Sequence, residues 1–153
     1  MLAVKPQVMA AVLADLAGVI VPGQLVVSIA AGISVATIVE ALGEDVPVVR
    51  SMPNTPALIG LGIAGLFAGP GCSIEHRSAA AQILGAGGDI CWVEDEALMD
   101  VVTAVSGSGP AYFFILAEAL ADAGRALGLP DETAVRPASH TARGAGAMAL
   151  PED

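Results

Sequence analysis

The chain has 153 residues and a formal net charge of −10, with 16 Asp and Glu against six Lys and Arg. So few cations argue against a nucleic-acid surface, which needs clustered Lys and Arg to meet phosphate. The length suffices for one domain or two small ones with a buried core.

Short apolar, β-branched runs alternate with helical patterns over the first two thirds, the signature of a parallel sheet with crossover helices. The predicted strands are Leu2–Val4, Leu25–Ile29, Val46–Arg50, Ile63–Ala68 and Asp89–Val93, separated by helices over Gln7–Leu16, Ser34–Leu42 and Ile74–Leu84. Gly43 and Gly85 stand where the second and third helices should stop. Beyond Glu94 the pattern is helical only. A helix over Glu94–Val105 has acidic residues in its first turns, where they favour the helix dipole. Ser108, Gly109 and Pro110 predict a stop and restart, because Ser is a good N-cap and Pro is tolerated in a first turn. The next helix runs over Ala111–Leu127, and a last one opens at Asp131 with Pro137 in its interior. The expected fold is therefore α/β, a partial Rossmann-like parallel sheet (1–94) followed by an all-helical domain (95–153).

The apolar content of 55% requires that membrane insertion be weighed. Two uncharged stretches, 16–39 and 51–74, are long enough to span a bilayer. Turn chemistry interrupts both, with Pro22-Gly23 in the first and Pro53, Asn54, Pro56 and Pro70 in the second, which describes short buried strands. No basic cluster flanks either run, and Met1 opens no basic n-region of a secretory signal. A cytoplasmic protein without membrane contact is expected. Cys72 and Cys91 are too far apart for a metal knuckle and form no CxxC pair, so they read as buried free thiols. His76 and His140 lack partners at ligand spacing, and no metal site is expected.

Four segments could carry chemistry. In LAVKPQ, a strand ends in a Lys-Pro turn at the carboxyl edge of the sheet, where open α/β folds bind ligands; Lys5 can equally be a solvated strand cap. In VVSIAAG, small residues at a strand end let a planar ring approach the backbone, or simply pack strand against helix. SMPNTPAL reads as a stiff, extended loop, since the residue before each proline is pushed out of the helical region. Its Asn54 can offer an amide for recognition, and the loop can equally be a structural turn. AVSGSGPAYFF contains Gly107-Ser108-Gly109, but Pro110 follows at once and no βαβ unit comes after, so it is no dinucleotide fingerprint. It reads as a tight helix–helix junction.

With these blocks in this order, the chain resembles pyrroline-5-carboxylate reductase, the NADPH-dependent enzyme of the last step of proline synthesis. The resemblance implies that Ala3, Val4, Lys5 and Pro6 line the nicotinamide–ribose side of NADPH (or NADH), that Ile29, Ala30 and Ala31 face the cofactor, and that Asn54 faces the nicotinamide region. It implies that Glu96 stands close to the ring nitrogen of a cyclic imino acid. A carboxylate there favours the protonated imine, the better hydride acceptor. No residue of this chain is assigned a catalytic step. The resemblance starts in the middle of the family's nucleotide-binding domain and stops before its substrate-carboxylate loop, so a central fragment is implied, with a homo-oligomer formed through the helical domain. In the last helix the chain departs from the pattern, with Pro137 for an apolar helix former and His140 for Gln. Two other readings remain open: a non-catalytic remnant or oligomerisation piece, and another imine or β-hydroxyacid reductase of similar fold.

Overall fold

A computed structural model describes residues 1–150. Their packing divides the chain into two compact units, one over Met1–Ser108 and one from Gly109 on. Residues 95–108, which the sequence pattern groups with the helices, pack with the sheet: Met99 is buried and Glu96 bonds to Arg50 and Val35. Positions 151–153 of the expected helical domain lie outside the described residues.

The first unit is the expected α/β arrangement. A 3-10 turn over Pro6–Val8 leads into α1 (Met9–Leu16), followed by β1 (Val26–Ser28), α2 (Val35–Leu42) and β2 (Val48–Pro53). A second 3-10 turn over Thr55–Ile59 precedes β3 (Gly62–Ala68), α3 (Ile74–Gly85), β4 (Gly88–Trp92) and the short α4 (Leu98–Val102). The sheet order is β1-β2-β3-β4. Predicted strand Leu2–Val4 contributes only a parallel bridge from Leu2 to Ser28 at the β1 edge. The sheet is mixed rather than parallel throughout: β1–β2 and β3–β4 are parallel, but β2–β3 is antiparallel. The reason is the link between β2 and β3. A parallel crossover needs roughly a dozen residues or more, and the segment from Asn54 to Leu61 holds only a 3-10 turn. The expected stiff SMPNTPAL loop is thus shorter, because β2 itself continues through Pro53.

Consecutive strand residues face opposite sides of a sheet, and here both sides are covered, which explains the continuous apolar runs. Val26 and Val48 share one core with Leu2, Met9, Leu13, Val35 and Ile38 of the α1 and α2 side. Val27 and Val49 share the other with Ala64, Leu66 and Ala80, backed by Leu84 of α3. Ser51 lies in the interior with its Oγ unpartnered among the described residues, at a cost of about 1–3 kcal/mol.

The expected stop and restart falls at Ser108, between a π turn over Thr103–Gly107 and a helix that opens at Gly109 with Pro110 in its first turn, but Ser108 is not its N-cap. Ser108 keeps helical dihedrals (φ −87°, ψ −22°), not the extended ones of an N-cap, and its N–H reaches back to the Thr103 carbonyl at 2.8 Å. Such a turn takes the usual N–H partner from carbonyls four residues back. Two hydroxyls bond back into the same stretch: Thr103 Oγ1 donates to the Met99 carbonyl (2.8 Å), which the Thr103 N–H also reaches, and Ser106 Oγ to that of Val102 (3.0 Å). Close packing fixes the location. A Cβ on Gly107 would lie 2.7 Å from Met52 Cε, and one on Gly65 2.5 Å from Val102 Cγ1.

The second unit is a helical hairpin of α5 (Gly109–Ala126) and α6 (Asp131–Met148). Small residues let the two helices approach, since Ala121, Ala134 and Ala138 are the buried positions. Arg125 ties the turn, bonding Asp122 at 2.6 Å and Asp131 at 2.8 Å. As expected, α6 carries Pro137 in its interior. Most of the apolar surface of α5 is open: Tyr112, Phe113, Phe114, Ile115, Leu116 and Leu120 are all exposed. The run Leu98–Ala126 is long and apolar enough to cross a membrane by length and composition.

Candidate functional site

The site is organised by one row across the sheet. Leu2 pairs with Ser28, and Ser28 with Arg50. The Leu2 N–H donates to the Val27 carbonyl (2.7 Å), and Ile29 N–H to that of Leu2 (3.1 Å). Past this row, Ala3–Pro6 and Ile29–Ala31 leave the sheet side by side at the same edge, so two of the expected cofactor segments are brought together. Ala3, Lys5, Pro6 and Ala31 are exposed, Val4 and Ile29 are half-buried, and Ala30 is buried at 3%. Lys5 precedes the 3-10 turn in extended backbone, its carbonyl accepting from Val8 N–H at 3.1 Å.

Asn54 is set apart. It follows the end of β2, four residues beyond Arg50, or about 13 Å at the rise of a strand. Its Oδ1 accepts from the Ile63 N–H at 3.0 Å and closes the loop into β3. The amide nitrogen and one lone pair of Oδ1 are left for recognition.

Glu96 meets the strand and the helix next to these segments. Its Oε1 accepts from the Val35 N–H at 2.8 Å and from Arg50 Nη1 at 3.1 Å, while Asp100 Oδ1 lies 3.6 Å from Arg50 Nη2. Val35 opens α2 directly after the Ile29–Ala31 turn, and Ser34 caps the same helix by accepting from Thr37 N–H at 3.1 Å. The first N–H groups of a helix lack intrahelical partners and attract negative charge. Glu96 therefore supplies a partner and a negative charge to the start of α2. Asp95 caps the opposing segment, Oδ1 accepting from Ala97 N–H at 2.9 Å.

Arg50 was not among the residues singled out from the sequence. Its side chain is 8% exposed, against 27% for Glu96. A signal was present, since Arg50 is the one charge in the strand run VPVVRSM, and a buried charge requires a partner. The Val35 N–H could not have been found without knowing which helix start faces Glu96.

The thiols correct one expectation. Cys72 is half-buried and donates to the Val48 carbonyl at 3.2 Å, but Cys91 is exposed, because β4 is an edge strand with one face open. Burial pushes both thiols up from the ordinary range, and Asp89 adds to the effect at Cys91. Neither is a poised nucleophile, since reactivity follows the thiolate. Among the described residues no group of three His, Cys, Asp or Glu side chains could hold a metal ion.

Residues 96–153 match the family model for pyrroline-5-carboxylate reductase dimerisation. The chain is 54% identical over 149 residues to a pyrroline-5-carboxylate reductase of Pseudomonas aeruginosa, covering 97% of this chain and 55% of that protein. Its structure resembles that of a pyrroline-5-carboxylate reductase from Coxiella burnetii, with a TM-score of 0.92 and 38% identity over 99% of this chain and 56% of the other. A Plasmodium falciparum pyrroline carboxylate reductase solved with NADP bound gives a TM-score of 0.89 and 31% identity, covering 99% and 60%. The chain spans about half the length of the curated relatives it matches. In sequence and in fold alike, this chain is similar to pyrroline-5-carboxylate reductases along nearly its whole length.

Proposed function

We propose that this chain forms the cofactor edge and imine-facing carboxylate of a cytoplasmic enzyme reducing 1-pyrroline-5-carboxylate to L-proline with NADPH or NADH. The observation that carries the reading is the adjacency of Ala3–Pro6 and Ile29–Ala31 at one sheet edge, with Glu96 bonded to Arg50 of the neighbouring strand and to the start of α2, in a chain 54% identical to such a reductase. The residues present fit the nicotinamide–ribose part of the cofactor. Ala3 and Ala31 are small and exposed, so a flat ring can lie against the backbone, with Lys5 beside them. They do not fit its pyrophosphate, because the α2 start that could take an anion holds Glu96 instead. When bound, the dinucleotide supplies the hydride. The Glu96 carboxylate faces the ring nitrogen and favours its protonated form, and Asn54 offers its amide nitrogen to the nicotinamide region. On this reading 1–94 belongs to the dinucleotide domain and 95–153 to the substrate and dimerisation domain.

These 153 residues by themselves should show little or no NADPH-dependent reduction of pyrroline-5-carboxylate, since they span about half the length of the relatives they match. Joined at both ends to the remaining segments of the Pseudomonas aeruginosa enzyme, it should turn over. A folded but inactive hybrid would favour the non-catalytic remnant. Turnover by the isolated chain would refute the need for the added segments.

We also infer that the exposed face of α5 meets a second copy of the chain. The support is the dimerisation region matched by 96–153 and the row of exposed aromatic and aliphatic side chains from Tyr112 to Leu120. Sedimentation velocity at micromolar concentration should give a dimer or larger closed assembly. A clean monomer, or flotation with lipid vesicles, would overturn the assignment.

A further inference from the structure

We propose that Arg50 is a positioning residue for Glu96, holding its carboxylate by one oxygen so that the other is the atom offered to the imine nitrogen. The inference rests on the reading of Glu96 as the imine-facing group and adds what fixes it. Oε1 is doubly engaged, by Val35 N–H at 2.8 Å and by Arg50 Nη1 at 3.1 Å, whereas Oε2 has no hydrogen-bond partner among the described residues. The Glu96 side chain is part-exposed, while that of Arg50 is almost wholly enclosed.

The geometry suits a guanidinium and not an ammonium. Arg50 divides its fork between two carboxylates one helical turn apart, Glu96 and Asp100, and so reads the orientation of their segment as well as one charge. Arg50 is itself fixed, pairing with Ser28 on one side and Phe67 on the other in the middle of the sheet. Because Ser28 and Leu2 complete that row, the residue holding Glu96 is the one from which both cofactor segments take their level. A buried cation with a rigid backbone can therefore set the height of the carboxylate over the sheet edge. Asp100 is 85% exposed and is the expendable partner.

The test is amide hydrogen exchange on the chain as it stands. The Val35 N–H reports the Glu96 contact, and the Val26 N–H, which donates to the Pro47 carbonyl at 2.9 Å, reports the sheet. Arg50→Gln should speed exchange at Val35 at least tenfold and leave Val26 unchanged, with Arg50→Lys falling between it and the native chain. Asp100→Asn should leave both amides unchanged. Unaltered protection at Val35 in Arg50→Gln would show that Glu96 needs no Arg50, and faster exchange at both amides would reduce Arg50 to a general stabiliser. Either result overturns the proposal. If Arg50→Gln does not fold, Arg50→Lys decides by the same criterion, faster exchange at Val35 alone supporting it and any other pattern refuting it. No turnover is measured, so this test can fail while the reading of Glu96 as the imine-facing group stands, and the reverse.

Discussion

Gly88→Ala should be the most damaging single-methyl substitution in the sheet unit, lowering stability by about 3–5 kcal/mol, or Tm by roughly 10 °C or more. Gly88 opens β4 at φ +140°, a conformation that an L side chain rarely adopts. It is paired with Gly62 at the start of the parallel β3–β4 ladder. A Cβ there would strike the Gly62 carbonyl oxygen and lie 2.5 Å from the Gly62 nitrogen. Gly62 cannot retreat, because its N–H is held by the Gly87 carbonyl at 2.9 Å and its own Cβ position is filled by the backbone of Ala57. Both obstacles are main chain, so no rotamer change relieves them. Gly85→Ala, three residues earlier at the end of α3, meets nothing within 4 Å and should be neutral or stabilising by up to about 1 kcal/mol. Trp92, the single tryptophan, lies at the end of β4 and reports both melts by fluorescence. A Gly88→Ala melt within experimental error of the native one would rule out so close a β3–β4 approach.

Strand and helix identity was largely legible, because hydrophobic period and the Gly and Pro stops act within a few residues. Strand direction was not. An apolar run such as IAGLFA reads the same whichever way it lies in a sheet, and only the short link through Thr55–Ile59 makes β3 run against β2. Likewise, SGSGP carries the residues of a helix stop. What makes the turn before it a π turn is remote: Met52 packs under Gly107, where a Cβ would lie 2.7 Å from its Cε. The candidate site divides the same way. Ala3–Pro6 and Ile29–Ala31 could be paired in advance because consecutive parallel strands usually neighbour one another. The contacts of Glu96 span 46 and 61 residues of sequence, and nothing local announces a bond of that reach.

Glu96→Gln separates two roles that the structure gives to one carboxylate. The amide oxygen of the substituted side chain can still accept from the Val35 N–H, but Arg50 keeps only Asp100, at 3.6 Å and well exposed, as an ionic partner. A loss of about 1–3 kcal/mol in stability is therefore expected whatever Glu96 does in catalysis. A lower Tm alone decides nothing. The kinetic consequence differs. In the chain completed with segments of the Pseudomonas aeruginosa reductase, and well below the melting range, loss of the charge beside the protonated imine should lower kcat/KM for the imine about 5- to 150-fold, the equivalent of ~1–3 kcal/mol. The KM for NADPH should change less than about twofold, because the substitution removes no group from the Ala3–Pro6 or Ile29–Ala31 segments. A lowered Tm with imine kinetics unchanged would leave Glu96 as the group that fastens its segment to Arg50 and the start of α2, and the imine nitrogen would need another partner.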